Sequence, residues 1–207
     1  MTIPDEDLFV GSDGHHRCWW CAGDVTYQTY HDEEWGVPVH DDRRLFEKIC
    51  LEGFQAGLSW LTILKRRDRF REVFCQFDTV RIARMGSSDV ERLLKDATII
   101  RNRGKIEAVL HNAARAQELQ KEFGSLARFF WSFQPQASEP VRRQADALAN
   151  TDESRQMSRQ LKRRGWKFVG PTTCYAFMQS MGIVNDHLVG CHRYEAVEQL
   201  RLRVTTN

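Results

Sequence analysis

Apolar residues recur at one-turn spacing through most of the chain and almost nowhere alternate with polar ones. Leu45, Phe46, Ile49 and Cys50 form one such stripe behind Asp41 or Asp42, either of which can accept the free N–H groups of a helix start, and Gly53 and Gly57 interrupt it. Ser59 can cap a following helix, while Asp78 and Ser87 or Ser88 open two more. After Arg103 a long stripe passes through Ile106, Val109, Leu110, Ala113 and Leu119 to Gly124, and a short helix then ends near Trp131 and Phe133. The pattern predicts an all-α protein. Residues 134–150 hold Pro135 and Pro140 and few large apolar side chains, so they read as a surface loop or hinge. The acidic first residues, 1–15, read as a flexible extension, and neither a repeat nor a low-complexity tract interrupts the chain.

Composition narrows the class. A chain of 207 residues with 42% hydrophobic positions can bury a core as one domain or two closely joined lobes. No apolar run is long enough for a bilayer, and the first residues lack a basic region followed by an apolar signal core, so a cytoplasmic protein without a membrane partner is expected. In that reducing compartment six cysteines are metal ligands or core thiols rather than disulfides, and Cys50, Cys75 and Cys174 fall in helical apolar patterns that assign them to the core. The formal net charge is only +2. Positive residues are nonetheless bunched at Lys65-Arg66-Arg67, at Arg101, Arg103 and Lys105, and at Lys162-Arg163-Arg164 with Lys167, which fits either a polyanion partner or ordinary solvated helix faces.

Several local patterns carry chemistry. Cys18 and His31 near the start are matched by His187 and Cys191 near the end, and a His-x-x-x-Cys pair would put two soft ligands on one helical face. Either the four form a metal clasp joining the chain's ends, or they are unrelated core residues. From Leu161 to Ser180 the sequence reads as a helix, a tight turn around Val169 and Gly170, and a second helix opened by Pro171 and capped by threonines. The exposed N–H groups of such a turn can bind a phosphate, and the flanking lysines and arginines favour duplex backbone, although a plain αα-hairpin has similar punctuation. Glu52 stands among apolar and small residues, either solvated at a helix edge or buried and facing a pocket where glycines leave room for a flat ligand. Tyr27, Tyr30 and Trp35 crowd around His31.

Cys18 followed by Trp20, Tyr30-His31-Asp-x-Glu-Trp35-Gly-Val-Pro38, Cys50-Leu-Glu52-Gly-x-Gln-Ala-Gly57-Leu-Ser-Trp60, Ile100-Arg-x-Arg103-Gly-Lys105-Ile, Phe130-Trp-Ser-Phe133, Lys167-Phe-Val-Gly170-Pro-Thr and Gly182-x-Val-Asn-Asp186-His187-x-x-x-Cys191 occur in that order. Together they closely resemble the bacterial DNA-3-methyladenine glycosylase I family of constitutive alkylation-repair enzymes, over roughly residues 16–192. The resemblance implies a helix-hairpin-helix glycosylase fold: one unit of two closely packed lobes over 16–193, with the hairpin at about 158–182 and a C-terminal tail at 194–207. It implies one structural zinc ion on Cys18, His31, His187 and Cys191. It also implies Glu52 as the catalytic and base-reading carboxylate, Tyr30 and Trp60 against the purine, Trp20 and Trp35 nearby, and duplex backbone contacts at Lys167, Gly170, Thr172 and Thr173.

The implied activity is hydrolysis of the N-glycosyl bond of 3-methyladenine in alkylated double-stranded DNA by a monomer that flips the base. Free 3-methyladenine leaves, an abasic site remains, and no lysine nucleophile is implied that would cut the strand. Two departures matter. Trp19 is bulky where the family commonly has glycine, and Cys21 adds a rival thiolate to the ligand set. Asp186, placed where the wider superfamily has a catalytic aspartate, abuts His187 and reads as support for the metal. A DNA-binding module that has lost hydrolysis would have changed Glu52, Tyr30 or Trp60, and all three are present. A zinc hydrolase would need an open coordination position, which four protein ligands close.

Overall fold

A computed structural model describes residues 7–137 and 139–205. Two short strands, β1 (Leu8–Val10) and β2 (His16–Cys18), pair antiparallel with Leu8 opposite Cys18. Eleven helices follow among the described residues: α1 (Val25–Glu33), α2 (Asp42–Gln55), α3 (Trp60–Leu64), α4 (Arg67–Val73), α5 (Thr79–Ile82), α6 (Ser87–Leu94), α7 (Arg103–Phe123), α8 (Leu126–Trp131), α9 (Asp152–Arg163), α10 (Pro171–Ser180) and α11 (Tyr194–Thr205). The all-α expectation holds, with the terminal hairpin as a small addition. None of the helices is long and apolar enough to cross a membrane, among the described residues.

The caps follow the sequence closely. Asp41 accepts from Arg44 N at the head of α2, Ser59 from Thr62 N at α3, and Asp78 from Val80 and Arg81 N at α5. Asn102 caps α7, and Gly124, at φ +86, ends it in the left-handed region that favours glycine.

Helix α2 lies at the centre. From Lys48 to Phe54 every residue is buried, so this second half lacks the polar outer face that Arg43 and Arg44 give the first. Contacts with α3, α7, α8 and α10 surround it. Its first turn is tied down by Asp42, whose carboxylate accepts from Gln120 of α7 and from the Ala127 N–H of α8. Its last turn ends in two carbonyls, Phe54 O and Ala56 O, that accept from Lys105 Nζ at 2.9 and 2.6 Å. Carbonyls at a helix end have no intrahelical donor, so a buried ammonium is an apt partner.

The α9–α10 hairpin is bolted to α7. Asn112 donates to Lys167 O and accepts from Lys167 N, both at 2.9 Å, and His111 Nε2 meets Gly165 O at 2.8 Å. From α9 Ser158 donates to Val169 O at 2.6 Å, and within the turn Gly165 and Phe168 have positive φ.

The structure corrects the reading of both ends and one cap. Residues 8–18, expected to lie mostly in a flexible extension, form the β1–β2 hairpin, and the expected tail folds as α11. Residues 1–6 and 206–207 of those two expectations lie outside the described residues. At the head of α10 the threonines do not cap. Gly170 occupies the N-cap position with Pro171 just inside, which leaves Thr172 and Thr173 in the first turn.

Gly182, at φ +74, follows α10 where the chain meets the segment after α1. A Cβ there would stand 2.6 Å from Gly36 O and from Pro38 N, both backbone atoms. Gly182→Ala therefore combines left-handed strain with a backbone clash and should cost about 2–4 kcal/mol, measured by denaturant unfolding; a loss below about 1 kcal/mol would contradict this packing.

Candidate base pocket and metal cluster

A cavity of about 200 Å³ opens between α1, α2, α3 and α10. All five residues expected to read the base line it: Trp20, Tyr30, Trp35, Glu52 and Trp60. Trp20 packs against Tyr27 and Trp35 with ring centres 4.9 Å apart in each case, and Tyr30 lies 5.5 Å from Trp60. Such tilted and edge-on pairs form a rigid aromatic wall. Glu52 projects from the buried stretch of α2 and is 5% exposed, which settles the choice between a solvated helix edge and a buried carboxylate. Trp60 Nε1 is buried with no hydrogen-bond partner among the described residues.

Other residues join the wall: Trp19, Tyr27 and Asp186, noted in the sequence but not assigned to the base, and Gln55 and Gln179, which no reading singled out. Asp186 accepts from Tyr175 OH at 2.6 Å and Gln179 Nε2 at 2.7 Å, so its hydrogen bonds tie it to α10 rather than to the neighbouring His187. Lys48 also escaped notice. It is fully enclosed one turn before Glu52, pairs with Glu52 Oε1 at 2.8 Å, and donates to Tyr30 OH at 2.7 Å. Only its placement on a helix buried all round gives it that environment, and a single lysine in an amphipathic stripe carries no such signal.

Cys18, His31, His187 and Cys191 come together as expected. Their four ligand atoms lie within 4.8 Å of one another, all four residues are buried, and the group could hold a metal ion. Cys191 Sγ is 3.4 Å from His31 Nε2 and 3.5 Å from His187 Nδ1, and Cys18 Sγ is 3.7 Å from His187 Nδ1. Each imidazole is oriented by its other nitrogen. His31 Nδ1 contacts Asp32 at 2.7 Å, and His187 Nε2 contacts Trp35 O at 3.0 Å.

Arg17, buried in β2, extends this order outward by bonding both Asp32 and Asp13. Hydrogen bonds from the Cys18 thiol, His187 and His31 draw Cys191 down toward thiolate, while burial pushes Cys18 up. Burial likewise lowers the His187 pKa and favours the neutral ring that ligates metals. The helical spacing anticipated for His187 and Cys191 is not used, because a turn closed by Cys191 N to Leu188 O at 2.7 Å presents them instead. Cys21 stands outside the group, its thiol directed at Cys18 O.

The two sites share a wall. Trp35 lines the pocket while its ring packs edge-on against His187 with centres 4.6 Å apart, and Trp20 lies 5.2 Å from His31. On the neighbouring surface Lys167 and Thr172 are exposed and Gly170 and Thr173 partly so, all around the start of α10. Much of the bunched positive charge is engaged internally: Arg67 with Glu34, Arg103 with Glu91, Arg164 with Glu122, and Lys105 on the end of α2. Lys162, Arg163 and Lys167 remain exposed on the hairpin.

The profile of the methyladenine glycosylase family matches residues 20–194. This chain belongs to that family. Membership makes it a glycosylase, an enzyme acting on N-glycosyl bonds. The chain is 50% identical to DNA-3-methyladenine glycosylase 1 of Escherichia coli strain K12, in a match covering 86% of this chain and 96% of that protein. It is 45% identical to DNA-3-methyladenine glycosylase of Haemophilus influenzae, over 84% of this chain and 96% of the relative. Its fold matches a crystal structure of 3-methyladenine DNA glycosylase I with a TM-score of 0.82 at 50% identity, covering 85% and 98% of the two chains. The family match leaves out β1, β2 and almost all of α11.

Replacing Asp32 with Asn should weaken metal retention by about 10–100-fold, measured by competition with a chromogenic chelator, because His31 loses its orienting carboxylate. Cys21→Ser should leave retention unchanged; a loss there would place Cys21 among the ligands.

Proposed function

We propose that this chain hydrolyses the N-glycosyl bond of 3-methyladenine in alkylated duplex DNA, releases the free base and leaves an abasic site without cutting the strand. The observation that carries this reading is Glu52, a buried carboxylate set in an aromatic pocket open beside the α9–α10 hairpin. A solved relative, 34% identical with a TM-score of 0.80 over 84% of this chain and 96% of that one, is a variant of 3-methyladenine DNA glycosylase I in complex with 3-methyladenine.

Methylation at N3 makes the adenine of a nucleotide cationic and weakens its bond to the sugar, so the base departs with little help from a general acid. Selection then rests with the pocket. A flipped cationic purine gains about 0.5–2 kcal/mol for each good aromatic face, here Trp60 and Tyr30 with Trp20 and Trp35 beside them. Glu52 accepts from the amine edge of the base and stabilises positive charge developing on the sugar. Extrusion costs a few kcal/mol for a normal pair and less for a weakened one, which discriminates before the pocket is reached.

Water, not an amine, completes the reaction in this reading. Lys48 is held by Glu52 and Tyr30 and faces a different cavity, which supports simple hydrolysis over imine formation and strand cleavage. The hairpin would hold the duplex through the free N–H groups of Thr172 and Thr173, the close approach allowed by Gly170, and the charge of Lys167. We further assign the four-donor cluster to zinc. A tetrahedral zinc site has ligand atoms about 3.3–3.8 Å apart, and the donors here lie 3.4–3.7 Å apart where they touch. Four protein donors would make that ion structural, tying the two ends of the chain together. The enzyme would act as a cytoplasmic monomer.

Purified protein should release 3-methyladenine, and not 7-methylguanine, from methylated duplex DNA, and Glu52→Gln should lower the rate about 100-fold or more. A folded protein that releases no base would instead be a damage-binding module. At Gly170 a Cβ would meet only Thr173 Oγ1, at 4.0 Å, so a bulky residue fits the fold but projects from the turn. Gly170→Ile should weaken duplex binding and spare binding of free 3-methyladenine, whereas loss of both would indicate misfolding. Lys167→Ala should reduce the salt slope of duplex binding by about 1. An unchanged slope would remove Lys167 from the interface.

A further inference from the structure

Lys48 touches three of the residues assigned above to the base, yet it is not among those lining their pocket. Its ammonium pairs with Glu52 Oε1 at 2.8 Å, donates to Tyr30 OH at 2.7 Å and stands 3.2 Å from the centre of the Trp60 ring. It faces a smaller cavity whose other charged lining is Arg44, exposed at the rim, and Glu34, Glu47, Arg67 and Arg71. Glu34 and Glu47 close their own pairs, with Arg67 at 2.6 Å and Arg71 at 2.8 Å, which leaves Glu52 as the carboxylate paired with Lys48.

We propose that Lys48 is a positioning residue: it occupies Glu52 Oε1 and keeps the carboxyl an acceptor-only anion, so that Oε2 alone meets the amine edge of the base. This rests on the glycosylase reading and deepens it. A carboxyl buried among aromatic rings is disfavoured in its charged form unless a cation accompanies it. Once protonated it would present an O–H to a base edge that is itself a donor, the wrong polarity for recognition. The ammonium therefore sets the polarity of the reader. The same contacts hold Tyr30 and Trp60 at a fixed angle, because one Nζ serves both rings.

Burial lowers the Lys48 pKa to about 8, with Glu52 opposing the shift, so the ammonium keeps most of its charge at neutral pH. Other titratable or charged groups face it from each side: Tyr27 and Tyr30 from α1 with Glu34 just after it, Arg44 and Glu47 from α2, Arg67 and Arg71 from α4, and Asp186, which shares the pocket. Asp186 is already held by Tyr175 and Gln179, and Glu34 by Arg67.

The test is the pH dependence, from about pH 6 to about pH 9, of 3-methyladenine release from methylated duplex DNA. Lys48→Met should lose kcat/KM at the acidic end, about tenfold for each pH unit below the carboxyl's new titration, and regain it as the pH rises. Lys48→Arg, which preserves the charge, should follow the parent profile. If Lys48→Met does not fold, Lys48→Gln keeps a donor to Glu52 and Tyr30 without the charge and should show the same acid loss. A loss of equal size at every pH, or no loss, overturns the proposal and leaves Lys48 a packing residue. Failure of the unsubstituted protein to release any base would instead overturn the glycosylase reading on which this one stands.

Discussion

The burial of α2 from Lys48 to Phe54 is the constraint on which the rest of the molecule depends. A helical stretch surrounded on every side normally carries no charge, and this one carries Lys48 and Glu52 one turn apart. They are tolerated because each partners the other and because Tyr30 and Trp60 accept what remains of the ammonium's field. Removal of one partner would strand the other in a medium that solvates it poorly. The pinning of both helix ends, by Asp42 at the start and Lys105 at the finish, fixes where along its axis that pair sits.

A second constraint closes the pocket from the other side. Glu52 comes from α2, whereas Trp20, Tyr30 and Trp35 come from the segment before it and Asp186 from far along the chain. The Cys18, His31, His187 and Cys191 cluster gathers those outer parts, and its imidazoles press on the same tryptophan rings that line the pocket. Arg17 and Asp32 carry this order out to the β1–β2 hairpin, beyond the segment matched by the family profile. Rigidity of the aromatic wall is thus set by polar contacts that never reach the cavity.

Much of this was legible in the sequence because it depends on local chemistry. Asp41, Ser59 and Asp78 announce helix starts through their side-chain oxygens, and Gly124 announces an end through its positive φ. The ligand set and the base-facing residues were legible through long motifs in order. What escaped depends on surroundings that no local pattern encodes. Lys48 reads as a solvated charge until the burial of α2 is known, and Asp186 reads as support for a metal until Tyr175 and Gln179 are seen to hold it. The strands escaped because three residues are too few to show alternation, and α11 because its stripe begins after a turn closed by Cys191. Phe168 is of the same kind: a non-glycine residue at φ +56 inside the turn, held there by the Asn112 and Ser158 bonds around it.

The clasp of the two ends bears on how the protein is made. During synthesis Cys18 and His31 leave the ribosome first and wait as half of a cluster while α2, α7 and the α9–α10 hairpin emerge. The other half arrives only with residues 187–191. Until then Trp35 lacks the His187 ring against which it packs, so the pocket wall is unfinished however well the central helices have formed. A nascent chain that stalls before residue 191 therefore carries Glu52 but not its finished frame.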